Sequence, residues 1–167
     1  MTLASCHNAE VYGNYFEDNT DVDLIVGPGQ NCHVYDNEIV HYYRYGYAGL
    51  MIGFDGSHET SVVSGNSVVS GMDQLSIGLM VGHDPWKDVP SFHAGTISGN
   101  VVDGAVTLLW VDGLADGTVE DNVLSNRRGT RQLFDCQWTD DYSAGDFGAA
   151  TLQPGWLFRS FNNGSCQ

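Results

Sequence analysis

The chain has 167 residues, 42% of them hydrophobic, so it is long enough to fold as one domain with a sizeable core, which excludes a disordered chain. Its 6 basic and 21 acidic residues give a formal net charge of −15, which would repel nucleic acids and anionic membranes, so both are excluded as partners. The 21 Gly against 4 Pro, between stretches rich in Val, Ile, Thr, Ser and Asn, favour many short strands joined by turns.

One six-residue pattern occurs five times along the chain. Each copy reads apolar, any residue, Gly or Asp, Asn, any residue, apolar. The Asn residues lie 23, 29, 34 and 22 positions apart, which is the length of one turn of a solenoid with loops of variable length. The five copies are 11–16, 34–39, 63–68, 97–102 and 119–124.

A second apolar segment follows the pattern in four of the five repeats, at 24–27, 50–53, 79–82 and 109–112. A single repeat cannot bury its inward side chains, but stacking the repeats about 4.8 Å apart pairs the backbone groups and creates a continuous apolar interior. The recurring Asn would then stand at the same corner of every coil. There it can tolerate a tight left-handed bend and hydrogen-bond to its equivalents in neighbouring coils.

These residues resemble the pectate-lyase-like superfamily of right-handed parallel β-helices, whose coils carry an asparagine ladder. The resemblance covers about residues 6 to 126 and implies an all-β, right-handed parallel β-helix of about five coils. It says little about activity, because the same coil occurs in lyases, epimerases, glycosidases, phage tailspikes and non-catalytic surface proteins.

The repeat ends at about Asn126 and is followed by a tail containing Trp138, Trp156, Phe158 and Phe161. We therefore predict parallel β-helix coils over 1–131 and a C-terminal aromatic cap over 132–167, within the same domain. The first coil begins near residue 6 without a recognisable cap. Because an open coil edge invites aggregation, a homo-oligomer or a missing N-terminal region is expected to cover it.

Four cysteines permit two disulfides in an oxidising compartment, and Cys136 and Cys166, which flank the predicted cap, are the favoured pair. The sequence contains no segment resembling a transmembrane span, and its opening residues lack the apolar stretch of a signal peptide. A secreted or cell-surface location is nevertheless the expectation for a β-helix of this kind.

Alternation along the second strand predicts one row of side chains that faces out of the coil, next to a row rich in Gly. The outward row offers apolar contact to a sugar ring or to another protein chain, and the Gly row lets a ligand approach the backbone. Subunit packing remains an equal alternative. Inward are Leu50, Ile52, Leu79, Val81 and Val111; outward are Ile25, Met51, Met80 and Trp110, then Gly27, Gly53, Gly82 and Asp112. Met51, Met80 and Trp110 are the predicted substrate contacts.

The segment 40–47 concentrates four tyrosines with one Arg and one His on one side of that face. Tyr43 and Tyr45 could stack on sugars and donate hydrogen bonds, and Arg44 could neutralise a uronate carboxylate. The alternative is that the tyrosines only pack on one another.

Two further loops, 55–59 and 83–88, follow the same strand in consecutive coils, so their acids and histidines should converge. Asp55 and Asp84 could serve as general acid and base in glycoside hydrolysis. Alternatively, His83 could abstract the proton alpha to a uronate carboxylate while Arg44 or Lys87 stabilises the enolate. Trp86 is the expected sugar contact in this loop. Side chains that merely cap or solvate the turns are the competing interpretation.

An acidic loop containing Asp18, Asp21 and Asp23 could bind Ca²⁺ through carboxylate oxygens, or could simply be solvated.

The leading functional hypothesis is a carbohydrate-active or carbohydrate-binding β-helix protein that acts on an extracellular polysaccharide, as a lyase, epimerase or glycosidase if it is an enzyme. The alternative is a non-catalytic structural or interaction module of a larger surface or tail protein. Few basic residues lie near the predicted face, which disfavours a uronate substrate unless Ca²⁺ supplies positive charge. Neutral glycans remain compatible.

Overall fold

The computed structural model describes residues 1–54, 56–71, 74–82, 92–112, 114–125, 132–137 and 157–162, without the side chains of 92–94, 111–112, 114–116, 132–137 and 157–162. All regular secondary structure in these residues is β-strand. The strands are β1 (Thr2–Leu3), β2 (Ala9–Tyr12), β3 (Tyr15–Glu17), β4 (Val22–Val26), β5 (Cys32–Tyr35), β6 (Glu38–His41), β7 (Gly46–Ile52), β8 (Val62–Ser64), β9 (Ser67–Ser70), β10 (Leu75–Gly82), β11 (Phe92–Ser98), β12 (Val101–Asp103), β13 (Thr107–Asp112), β14 (Leu114–Glu120), β15 (Val123–Ser125), β16 (Gln132–Gln137) and β17 (Leu157–Asn162).

The strands form three parallel sheets, and successive strands of the chain pass from one sheet to the next. Sheet A has the order β1-β4-β7-β10-β13-β16-β17, sheet B contains β2, β5, β8, β11 and β14, and sheet C contains β3, β6, β9, β12 and β15. Coil 1 is β2 to β4, and four further sets of three strands give coils 2 to 5, ending at β16. The chain is therefore a right-handed parallel β-helix, and the predicted fold of about five coils is confirmed.

The predicted asparagine ladder runs along the corner between sheets B and C. The side-chain amides of the first four Asn residues each donate to the Oδ1 atom of the Asn in the following coil, and their backbone N–H groups donate to the same oxygen. The four Nδ2–Oδ1 distances are 2.8 Å for Asn14–Asn37, 2.8 Å for Asn37–Asn66, 2.9 Å for Asn66–Asn100 and 2.9 Å for Asn100–Asn122. Except at the exposed Asn14, these side chains are buried, so the ladder supplies the hydrogen bonds that burial requires.

The left-handed bend at this corner belongs to the residue before each Asn, and not to the Asn as predicted. Gly13, Gly65 and Gly99 have φ values of 63°, 65° and 64°, and Asp36 and Asp121 both have φ of 53°. Gly adopts this conformation without steric cost and Asp tolerates it better than most residues. The Gly or Asp of the repeat therefore makes the turn, which leaves the Asn side chain free to bond between coils.

The two apolar positions of each repeat face the interior. The first position gives Val11, Val34, Val63, Ile97 and Val119, and the second gives Phe16, Ile39, Val68, Val102 and Leu124. Sheet A adds inward rows in which Leu24, Leu50, Leu79 and Leu109 lie in register. Of the ten apolar positions of the repeats, nine are buried and the tenth, Phe16, is partly buried. Full burial of such a side chain contributes about 1.5–3 kcal/mol to stability. The inward prediction for Leu50, Ile52, Leu79 and Val81 is confirmed; the side chain of Val111 is not described.

A disulfide joins Cys6 to Cys32, with 5.6 Å between their Cα atoms, and so links the segment that enters coil 1 covalently to β5 of coil 2. This pair was not the one favoured from the sequence. Cys136 lies in β16, whose side chains are outside the described set, and Cys166 lies outside the described residues, so that pairing stays a prediction.

The predicted aromatic cap also remains a prediction. Strands β16 and β17 continue sheet A beyond β13, with parallel pairing throughout. The side chains of Phe158 and Phe161 are not described, and Trp138 and Trp156 lie outside the described residues. The division at residue 131 is likewise untested.

Candidate functional site

The predicted catalytic residues Asp55, His83 and Asp84, together with Trp86 and Lys87, lie outside the described residues. Their convergence therefore stays a prediction. The geometry that follows concerns the other predicted contacts, which are the tyrosine loop and the apolar row of sheet A.

The tyrosine loop, residues 42–45, forms the corner between β6 of sheet C and β7 of sheet A in coil 2. Tyr42, Tyr43 and Tyr45 are 45%, 81% and 74% exposed. The rings of Tyr42 and Tyr43 meet edge-on, with centroids 6.3 Å apart, but this contact leaves most of Tyr43 in solvent. Packing of the Tyr42 and Tyr43 rings on each other therefore explains only part of the arrangement. The loop presents aromatic side chains and the exposed Arg44 to solvent.

The backbone of this loop is held by Asp18, which lies in the corresponding corner of coil 1. One carboxylate oxygen of Asp18 accepts hydrogen bonds from the backbone N–H groups of Tyr42, Tyr43 and Arg44, at 2.9, 3.0 and 3.2 Å. These bonds favour the ionised carboxylate and so lower the pKa of Asp18, and the bond from Tyr43 has the largest effect. Three consecutive donors pointing at one anion form a small backbone nest.

A buried polar pair lies behind the same loop, on the interior side. His41 Nε2 is 2.7 Å from Asp23 Oδ2, and both side chains have no exposed surface. His41 Nδ1 lies 3.0 Å from the carbonyl oxygen of Arg44. The second carboxylate oxygen of Asp23 accepts a bond from Asn19 Nδ2 at 2.7 Å. All four polar atoms therefore have partners, as buried polar groups require.

Proton positions in this pair follow from its partners. A carbonyl oxygen can only accept, so Nδ1 of His41 carries a hydrogen, and a second proton lies between Nε2 and Asp23. The pair is therefore either an imidazolium with a carboxylate or a neutral imidazole with a carboxylic acid, and its net charge is zero in both cases. Burial raises the pKa of Asp23, which favours the uncharged arrangement.

Space for the imidazole is provided by Gly46, the first residue of β7. A Cβ atom at Gly46 would lie 2.7 Å from Cε1 of His41 and 2.9 Å from Cδ2 of Leu75 in the next coil. Any side chain at position 46 would therefore force both His41 and Leu75 to shift. The Gly that follows the tyrosine loop is thus required by the packing around the buried pair.

The acidic loop does not form the predicted calcium site among the described residues. No group of three His, Cys, Asp or Glu side chains with metal-ligand geometry occurs in that part of the chain. Asp18 binds the backbone of the tyrosine loop, Asp23 binds His41 and Asn19, and Asp21 is exposed. The carboxylates of Asp18 and Asp23 therefore both bind partners within the chain.

The apolar row of sheet A faces out of the coil but is not the exposed stripe that the sequence predicted. Met51 is fully buried and Met80 is 1% exposed. They form a second apolar cluster, separate from the interior, because their side chains pack on one another. Its members are Val22, Ile25, Ala48, Met51, Ile77 and Met80, with Tyr47, Phe54 and Trp110 against them. Direct ligand contact at Met51 or Met80 would require this cluster to open.

The neighbouring Gly row is also occupied by the chain. A Cβ atom at Gly27 would lie 2.4 Å from the carbonyl oxygen of Leu3, and one at Gly53 would lie 2.6 Å from Cε of Met51. These glycines therefore allow close packing of the protein on itself and do not leave backbone open to a ligand.

Further exposed tyrosines extend the aromatic surface around the Asn corner, and the sequence analysis missed them. Tyr12 and Tyr15 are 57% and 56% exposed, and Tyr12 stacks on Tyr35 with parallel rings 5.0 Å apart. Tyr12 and Tyr35 share one register position of sheet B, immediately after the inward Val of each repeat. The recurrence of Tyr one position after the inward Val was the feature of the sequence that could have predicted this stack. We call Tyr12, Tyr15, Tyr35, Tyr42, Tyr43 and Tyr45 the tyrosine surface.

Carboxylates surround this surface. The pKa of Tyr15 is raised, and the largest cause is partial desolvation of its hydroxyl. The negative charges of Glu17 and Glu38 have the next largest effects, followed by Tyr42. The hydroxyl of Tyr35 is 3.5 Å from a carboxylate oxygen of Glu10. The tyrosine surface is therefore aromatic and acidic, with Arg44 as a cation at its edge.

His58, in the loop between β7 and β8, is a second buried imidazole. It is 1% exposed, and its Nε2 lies 3.2 Å from the carbonyl oxygen of Gly53. Burial lowers the pKa of His58 to about 4, so the ring is neutral at neutral pH.

Scans against protein-family models, curated proteins and solved structures each found no match to this chain. Among the residues that the structure describes, no helix is long and apolar enough to span a membrane.

Proposed function

We propose that this chain is a carbohydrate-binding β-helix protein that holds a polysaccharide against its tyrosine surface. The observation that carries the proposal is the exposure of Tyr43 and Tyr45 on a loop whose backbone is fixed by hydrogen bonds. Large aromatic side chains held in solvent without a covering group commonly mark a binding surface.

The chemistry of tyrosine suits a sugar ligand. A sugar ring has apolar C–H faces and a rim of hydroxyl groups, whereas a tyrosine has an apolar ring and a polar hydroxyl tip. Tyr43 and Tyr45 can therefore cover a sugar face, and the guanidinium of Arg44, the residue between them in the sequence, can donate to ring or hydroxyl oxygens. Tyr12 and Tyr15 of coil 1 add exposed aromatic surface to that of coil 2, which favours an extended chain over a small ligand.

The charges favour a neutral glycan over a polyuronate. Glu10, Glu17 and Glu38 surround the tyrosines, and Arg44 is a single cation at the loop. A polyanion would meet repulsion from these carboxylates at low ionic strength, whereas uncharged sugar hydroxyls can donate hydrogen bonds to them.

Membership of the pectate-lyase-like superfamily and an extracellular location belong to the same proposal. The parallel coils and the asparagine ladder support the first. The Cys6–Cys32 disulfide supports the second, because disulfides persist mainly in oxidising compartments. Lyase, epimerase or glycosidase activity would depend on Asp55, His83 and Asp84, so the proposal here is limited to binding.

Binding can be measured by affinity electrophoresis in gels containing dextran, mixed-linkage β-glucan or galactomannan, with polygalacturonate as the acidic comparison. We expect retardation by at least one neutral polymer, and a loss of affinity of about tenfold or more in a Tyr43→Ala/Tyr45→Ala double variant. Val123→Ala, which removes an exposed apolar side chain from coil 5, is the matched control and should bind as the unmodified chain does. Binding to polygalacturonate alone, or equal binding by all variants, would contradict the proposal.

A protein partner for the same surface is the second candidate, because tyrosines are enriched at protein interfaces and are similarly exposed here. A structural module of this kind would self-associate or bind another chain through coils 1 and 2. Sedimentation of the unmodified chain and of the Tyr43→Ala/Tyr45→Ala variant distinguishes the two cases. An oligomer that the double substitution dissociates, without retardation by any glycan, would favour the interaction module.

A further inference from the structure

We propose that Asp18 is a positioning residue for the polysaccharide site: its carboxylate fixes the backbone of the tyrosine loop before the ligand arrives. The inference rests on the proposed function, and it assigns to the acidic loop of coil 1 a role in binding without contact to the ligand.

The first step is the geometry of the bonds. Asp18 Oδ1 accepts from three consecutive backbone N–H groups, those of residues 42 to 44, all within 3.2 Å. Without Asp18, these N–H groups of an exposed loop would depend on water for their hydrogen bonds, and water does not fix their direction. A single charged acceptor placed beneath them therefore determines the path of the loop, and with it the directions in which Tyr42 and Tyr43 leave the backbone.

The second step is that the loop is also held from its opposite side. The carbonyl oxygen of Arg44 accepts a bond from buried His41, and His41 is fixed in turn by Asp23. Three N–H groups of the loop thus donate to one carboxylate of coil 1, and the carbonyl oxygen of Arg44 accepts from a side chain held by another. Asp18 lies in the corner that precedes the tyrosine loop by one coil, and Asp23 lies in β4, the strand that follows that corner.

The third step concerns the energetics of binding. Ordering a loop and its side chains when a ligand binds reduces affinity, and a loop already held in its bound arrangement avoids that cost. Loss of the Asp18 carboxylate should therefore weaken glycan binding although every tyrosine remains. This loss of affinity would be larger than removal of the charge of Asp18 alone would cause, because a neutral ligand gains little from a distant carboxylate.

The substitutions must separate positioning from charge and from backbone strain. Asp18 has φ of 51°, which is a left-handed conformation, so Asp18→Ala would add strain, whereas Asp18→Gly removes the carboxylate without it. Asp18→Asn loses the same charge but keeps an acceptor oxygen at the same place and tolerates the same φ. Asp121→Gly is the matched control, because Asp121 is exposed, has φ of 53° and lies in coil 5.

The experiment uses the full chain and combines amide hydrogen exchange at residues 42–44 with affinity electrophoresis in the same neutral glycans. We expect Asp18→Gly to accelerate exchange of these amides at least tenfold and to reduce glycan affinity fivefold or more. We expect Asp18→Asn to stay within about twofold of the unmodified chain in affinity. Asp121→Gly should change neither quantity.

Two results would overturn the inference. One is unchanged exchange of the three amides in Asp18→Gly, since the carboxylate would then not hold the loop. The other is accelerated exchange with affinity equal to that of Asp121→Gly, since the bonds would then serve the fold alone. If the unmodified chain binds no glycan, the proposed function fails, and with it the role of Asp18 in binding; the exchange rates still decide whether Asp18 orders the loop.

Discussion

The two corners on either side of sheet C are built in opposite ways. At the Asn corner, every coil repeats the same two residues, a Gly or Asp with positive φ and an Asn that bonds to the next coil. At the tyrosine-loop corner, coil 1 supplies Asp18 and Asn19 and coil 2 supplies exposed tyrosines. At this corner, unlike at the Asn corner, the hydrogen-bonding partners are residues of different types.

The difference separates the scaffold from the candidate site. A ladder works only if each coil presents the same donor and acceptor, so its residues cannot vary independently. The second corner depends on contacts between particular residues of coils 1 and 2, so the remaining coils need not repeat those residues. Tyr43 and Tyr45, the residues on which the proposed binding function depends, lie at the corner that does not repeat.

The largest expected effect concerns the Asn corner. Asn66 is 1% exposed, donates to Asn100, and accepts from the backbone and side-chain amides of Asn37. Asn66→Ala should lower the free energy of unfolding by about 4 kcal/mol, since it leaves several buried groups without partners. Asn14→Ala, at the exposed first rung, should cost about 1 kcal/mol. Urea denaturation measures both, and equal losses would mean that the ladder contributes through its turns alone.

The next effect concerns the buried pair at the tyrosine-loop corner. Asp23→Ala leaves the Nε2 atom of His41 without its partner in the interior and should cost about 3 kcal/mol. Asp23→Asn should cost less than about 1 kcal/mol, because its amide can donate to a neutral His41 while its oxygen still accepts from Asn19. Thermal unfolding of the two variants at neutral pH tests this, and a severe loss in Asp23→Asn would show that the pair must be ionic.

A smaller effect is expected at the corner between sheets A and B, where His58 lies. The pKa of His58 is about 4 in the folded chain and near 6.5 in an unfolded chain, so the unfolded state binds the proton more readily below pH 6.5. Stability should therefore fall as the pH is lowered through this window, by about 2 kcal/mol between pH 7 and about pH 4.5. His58→Gln should remove this contribution. Chemical denaturation at several pH values would measure it, and an identical pH dependence in the variant would contradict the assignment.

The fold was predictable because the residues that produce it recur along the chain. The apolar positions and the Asn recur once per coil, and in-register stacking converts that recurrence directly into the ladder and the interior. The left-handed bend was placed on the wrong residue, because Asn and the Gly or Asp before it both tolerate positive φ and composition does not separate them.

The candidate site was predictable in part. The exposed tyrosines follow from their position in a loop. The hydrogen bonds that residues 42–44 donate to Asp18 span 24 to 26 positions and depend on the register of two coils. Burial of Met51 depends on what packs outside sheet A, which alternation along a strand does not reveal. The Cys6–Cys32 separation of 26 residues is close to one coil, and that spacing could have indicated the disulfide.

The disulfide has a consequence for the way the stack comes apart. A coil of a solenoid separates from its neighbour when the contacts between the two are lost. Coil 1, which contains Asp18, Asn19 and Asp23, pairs with coil 2 in all three sheets. Because Cys6 and Cys32 tether coil 1 to coil 2, its separation must wait for bond reduction or for melting of coil 2 itself. Reducing conditions should therefore loosen the tyrosine loop before they unfold the central coils.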